Sequence, residues 1–172
     1  MLRILFLLAL LGAAPPASPL SDAELRQVVI TLERGMCYGE CPVYQIRITG
    51  DGQVSYHGKM FVETQGNRTR RIPQAEIRSL VATFEKAGYF SIGDFTYASC
   101  QRDRCRKGYM HDSPSATTSI TIRGKTHRVK HDSGCYCAPQ ALFDVEAAID
   151  KASQADRWVG TERGGQWAGT EN

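Results

Sequence analysis

Hydrophobic residues recur along this chain at two different periods, and the change of period separates strands from helices. Between Gln27 and Glu33, every second residue is apolar (Val28, Ile30, Leu32), and Tyr44, Ile46 and Ile48 repeat the pattern between Val43 and Thr49. Strict alternation places one row of side chains on each face of an extended chain, so both segments predict half-buried β-strands. Gly50-Asp51-Gly52 tolerates positive φ, and alternating Val54 and Tyr56 predict the returning strand of an antiparallel hairpin, with Gly58 bending or ending it. Met60 to Thr64 and Thr69 to Ile72, flanking Gly66-Asn67, predict a further strand pair, its second member made polar by Arg68, Arg70 and Arg71.

The period then lengthens. After Pro73, Ile77, Leu80, Val81 and Phe84 follow the i, i+3, i+4, i+7 spacing of one helical face, and Gly88 stands where such a helix stops. From Gly93 to Ala116 the chain is polar, lacks periodicity and carries two cysteines, and so long a loop in a small domain is functional or tied down. Thr118 to Ile122 and Thr126 to Lys130, around Arg123-Gly124-Lys125, predict a second hairpin with Ile120, Ile122 and Val129 turned inward. Pro139 opens a last helix with Leu142, Val145, Ile149 and Ala152 as its buried stripe, and Trp158-Val159 returns to the core. Strands followed by helices without regular alternation predict an α+β fold: an antiparallel β-sheet of about five to seven strands backed by two α-helices.

The N-terminus changes the picture of where this fold works. Arg3, the apolar run Ile4 to Leu11 and the small residues Gly12-Ala13-Ala14 predict a secretory signal peptide over 1–18, cleaved between about Ala14 and Ser18. The apolar run is too short to span a membrane and no second one follows, so the expected mature protein has no membrane span. The expected organisation is a single α+β domain over 19–159 and a flexible tail over 160–172, located in the periplasm or secreted. Without Arg3, 20 basic residues face 18 acidic ones, a net charge of +2 that does not predict a nucleic-acid partner.

Six cysteines in an exported chain predict a disulfide framework. Cys37 and Cys41 can meet across a tight turn, with Gly39 permissive and Pro42 launching the next strand. Cys135 and Cys137 are separated by Tyr136 alone, so each is expected to pair with Cys100 or Cys105, in an order that spacing does not decide. Two other readings use the same sulfurs. Cys100, Cys105, Cys135 and Cys137, with His111 or His131, would be zinc ligands, although a C-x-C half-site is atypical. Cys135 and Cys137, just ahead of the Pro139 helix, would be a thiol-disulfide exchange pair.

The remaining chemistry is sparse. His111-Asp112 and His131-Asp132 suggest a metal-dependent hydrolase using His111, Asp112 and His131, but neighbours on a strand point to opposite faces. Arg123, Lys125, Arg128 and Lys130 cluster around the second hairpin as a possible binding surface for an envelope protein or an anionic polymer. No residue stands out as catalytic, and no cofactor or metal is expected. The leading expectation is a non-catalytic, disulfide-stabilised binding module of the bacterial envelope.

Cys37-Tyr38-Gly39-Glu40-Cys41-Pro42-Val43-Tyr44, followed by Gly50-Asp51-Gly52 and Tyr56-His57-Gly58, resembles an uncharacterised bacterial family, the domain of unknown function numbered 6438. Cys37, Gly39, Cys41, Pro42 and Tyr44 match its C-x-G-x-C-P-x-Y pattern, and the resemblance covers about Gln27 to Val159. It implies a hairpin, a helix, and a later strand pair and helix. It implies no activity, and the other four cysteines lie outside the motif.

Overall fold

The alternation that begins at Val28 is carried into a sheet. The structure, a computed structural model, describes residues 19–160 apart from Arg104, so the expected signal peptide and the tail beyond Gly160 lie outside the described residues. Within them the strands are β1 (Val29–Arg34), β2 (Val43–Thr49), β3 (Gln53–Met60), β4 (Gly66–Arg71), β5 (Ser115–Ile122) and β6 (Lys125–Asp132). They form one antiparallel sheet in the order β4-β3-β2-β1-β5-β6. The helices are α1 (Asp22–Arg26), α2 (Gln74–Lys86), α3 (Tyr97–Arg102), α4 (Gln140–Ser153) and α5 (Asp156–Val159). The α+β architecture, with α2 and α4 backing the sheet and three disulfides stapling it, is the one predicted.

Both long helices cover one face. Ile77, Leu80, Val81 and Phe84 of α2, with Leu142, Val145 and Ile149 of α4, are buried in the same core as Ile30, Leu32, Ile46, Ile48, Ile120 and Val129 of the sheet. Each such side chain contributes roughly 1.5–3 kcal/mol by leaving water. Alternate residues, from Val29, Thr31 and Glu33 of β1 outward, line the opposite, uncovered face.

Gly58 bends β3 rather than ending it, and two other elements differ from expectation. The register shifts opposite Val43 and Tyr44, and a Cβ on Gly58 would lie 2.2 Å from the Thr64 carbonyl oxygen. Glycine here lets residues 61–65 fold back over the strand. For the same reason Met60 to Thr64 forms no strand of its own, and β4 pairs with β3 from Gly66 onward. The long polar loop contains α3, capped by Thr96, and Phe95 lies along β6, its N–H donating to the Lys130 carbonyl at 2.8 Å. That segment covers an edge that would otherwise be exposed for pairing.

Candidate functional site

Parity along β1 brings a charge inside. Ile30 and Leu32 face the helices, and the same alternation turns Arg34 inward, where it is only 2% exposed. On α4, Glu146 and Asp150 are four residues apart and share a face, so together they bracket the guanidinium. Arg34 Nη1 donates to Glu146 Oε2 at 2.6 Å and Nη2 to Asp150 Oδ2 at 2.7 Å. The Tyr44 hydroxyl donates to Asp150 Oδ1 at 2.8 Å, and His131 Nδ1–H donates to Glu146 Oε1 at 2.6 Å. The His131 ring meets the edge of Phe143 at 4.5 Å, and its Nε2 is enclosed without a hydrogen-bond partner among the described residues.

Electrostatics in this cluster follow from burial and pairing. Burial opposes the Arg34 charge, yet Asp150 and Glu146 beside it hold its pKa above the ordinary value. Burial, then the neighbouring Asp150 charge, pushes the Tyr44 phenol well above its usual range. Two carboxylates bridged by one arginine act as a clamp between helix and sheet, since each oxygen named is already committed to a donor. At Asp150 and Tyr44 the clamp reaches a cleft of about 750 Å³, whose wall includes Arg70, Ile72, Pro73 and Arg157.

A second cluster lies where the β1–β2 loop, the β6–α4 connection and the long loop before β5 converge. Cys37 bonds Cys41, Cys100 bonds Cys135, and Cys105 bonds Cys137, with Cα separations of 5.7, 5.9 and 5.8 Å. The Tyr38 N–H donates to the Asp112 carbonyl at 2.9 Å, and the Tyr136 hydroxyl reaches Met110 Sδ at 3.5 Å. Tyr97 packs its ring on Tyr109 and His111, and the Tyr109 hydroxyl donates to Asp132. Met36, Tyr97, Met110 and Tyr136 remain exposed on this surface, and Tyr38 is 90% exposed.

The family described as Domain of unknown function (DUF6438) matches residues 28–153. The chain belongs to this family. No curated protein matches it. Seen in the DUF6438 chain, the motif residues have structural tasks: the Cys37–Cys41 staple and Pro42 fix the start of β2, and Tyr44 ties that strand to α4.

The structure separates several residues that the sequence grouped together. Cys135 and Cys137 bond different partners rather than each other, as the expected framework has it. The Cys100, Cys105 and Cys135 sulfurs do crowd within 4.8 Å, but as members of disulfides. His111 and Asp112 are exposed on the long loop, whereas His131 is buried against Glu146. The turn bearing Arg123 and Lys125 is at the far end of β5 and β6 from the disulfides, because Ser115 pairs with Asp132 at the other end. Arg123 pairs with Glu24, while Arg128 and Lys130 project from the uncovered sheet face. Arg34, Glu146 and Asp150 were not singled out by sequence, although Glu146 falls within the apolar stripe Leu142, Val145, Ile149 and Arg34 continues the inward parity of β1.

Proposed function

We propose that the chain is an exported, non-catalytic binding module of the bacterial envelope, and that its disulfide-linked loop end recognises another envelope protein. The observation that carries this reading is the gathering of Met36, Tyr38, Tyr97, Met110 and Tyr136, all exposed, on α3 and the loops that hold the three disulfides. Tyrosine and methionine are enriched at protein interfaces, where they supply large contact areas. Cross-linked loops lose little conformational freedom on binding, so more of the contact energy appears as affinity. The arginine clamp, with its guanidinium paired to both carboxylates, supports the scaffold role.

The test replaces Tyr38 by a photo-crosslinking amino acid in the exported protein. The expected result is a discrete cross-linked envelope protein that disappears when Met110→Asp and Tyr136→Asp are added. It also disappears when Cys100, Cys105, Cys135 and Cys137 are changed to alanine. Cross-linking indifferent to all of these changes would overturn the reading.

A further inference from the structure

The sheet face left uncovered by the helices carries an ordered set of polar side chains. Register places Thr69, Ser55, Arg47, Thr31, Ser119 and Arg128 in one row across all six strands. A groove of about 380 Å³ runs over this face and is lined by Thr31, Gln45, Arg47, Ser55, Thr117 and Arg128. In its floor the Thr31 and Ser119 hydroxyls hydrogen-bond at 2.6 Å. The Arg47 and Arg128 side chains, both exposed, make no hydrogen bond or ion pair to a described residue. Neighbouring strands lie about 4.8 Å apart, so β2 and β6, three spacings apart, root these arginines about 14 Å from each other. Lys130 adds a cation one pleat from Arg128; of the acidic residues on this face, Glu33 is held by Gln45 and Lys59, and Asp132, at the end of β6, accepts from the Tyr109 hydroxyl and the Gly134 N–H.

We propose that this face is a binding site for an acidic oligosaccharide, a chain of sugars bearing carboxylates, with Arg47 and Arg128 each receiving one carboxylate. Guanidinium groups bind carboxylates through paired hydrogen bonds, and threonine, serine and glutamine offer both donors and acceptors to sugar hydroxyls. An acidic peptide fits less well: peptides that add to a sheet pair with an edge strand, whereas this groove runs over the interior strands β1, β2 and β3. Single-stranded nucleic acid binds through aromatic stacking, and His57 is the only aromatic ring this face presents among the described strand residues. The site uses residues separate from the disulfide-linked loop end, so the two proposals stand or fall independently.

The test is fluorescence anisotropy of labelled oligogalacturonate titrated with the exported, oxidised protein at low and physiological salt. Saturable binding is expected, weakening with salt. Arg47→Gln and Arg128→Gln are each expected to raise Kd about tenfold, and Arg47→Glu with Arg128→Glu to abolish binding. Lys86→Glu, on the exposed side of α2, is expected to leave Kd unchanged. An unchanged circular dichroism spectrum shows that the exposed substitutions leave the fold intact. Absence of saturable binding, or wild-type Kd in the charge-reversed protein, overturns the proposal. Equal affinity for poly-L-glutamate overturns the assignment to a glycan.

Discussion

Tyr44 donates its hydroxyl hydrogen to Asp150, joining the second strand to the last long helix across 106 residues of chain. Asp150 is held on its other oxygen by Arg34, so the two donors share one carboxylate. Tyr44→Phe removes a hydrogen bond to a charged group and is expected to cost about 1.5–3 kcal/mol in urea unfolding. Arg34→Met leaves Glu146 and Asp150 facing each other without their cation and is expected to cost about 3–5 kcal/mol. Adding Glu146→Gln and Asp150→Asn to Arg34→Met is expected to recover part of that loss. No recovery would show that the arginine acts through packing and not charge.

The Cys100–Cys135 and Cys105–Cys137 bonds interleave, with sequence separations of 35 and 32 residues. In the chain-entropy picture either bond alone removes about 3–4 kcal/mol of unfolded-state freedom. The second then closes only a short ring, through the five residues from Cys100 to Cys105 and the two from Cys135 to Cys137, worth about 2 kcal/mol. Deleting Cys105–Cys137 alone should therefore cost about 2 kcal/mol, and deleting both bonds about 6 kcal/mol. Deleting Cys100–Cys135 alone should cost more than 2 kcal/mol, because Cys100 and Cys135 are also buried. Denaturant titration of the three variants distinguishes this pattern from simple additivity.

Gly50 is required for close approach, not for its backbone angle. An added Cβ would stand 1.7 Å from the Leu25 carbonyl oxygen at the end of α1, whereas positive φ in this turn belongs to Gly52. Gly50→Ala is expected to cost more than about 2 kcal/mol, because backbone must move. Gly66→Ala meets nothing within 4 Å and carries only the left-handed penalty of its φ of +79°, about 1 kcal/mol. Thermal unfolding of the pair should rank them in that order.

Alkaline pH should weaken the fold through its buried tyrosines. Burial pushes the Tyr89 phenol to about 12, and Tyr44 is raised well above its ordinary value by burial and by Asp150. Folded pKa values above the unfolded one, about 10, mean that the native state holds these protons longer. The stability they protect is complete below about pH 10 and falls as pH rises toward 12. Tyr44→Phe, less stable at neutral pH, should show a shallower decline over that window in rapid urea-unfolding measurements.

Periodicity made the sheet, α2 and α4 legible, because burial on one face imposes its period on Ile30, Ile46, Val54 and Ile77 alike. The short helices were harder. α1 left a readable signal in the capping box between Ser21 and Glu24, but five residues carry no apolar period. α3 is anchored by Cys100 and a Thr96 cap inside a polar stretch. The clamp was hidden because Arg34 and Glu146 come from elements 112 residues apart, and charged residues on inward positions announce a partner without naming it. The family expected from the stretch Cys37 to Tyr44 is the one that matches residues 28–153, while the order in which the other four cysteines pair required the folded chain.

Disulfide mapping of the unreduced protein tests the central claim most directly: proteolysis without reductant, followed by mass spectrometry and a thiol count under denaturing conditions. The account predicts no free thiol and three linked peptide pairs, Cys37 with Cys41, Cys100 with Cys135, and Cys105 with Cys137. A Cys135–Cys137 linkage, or free thiols that bind zinc, would contradict a permanently cross-linked recognition surface.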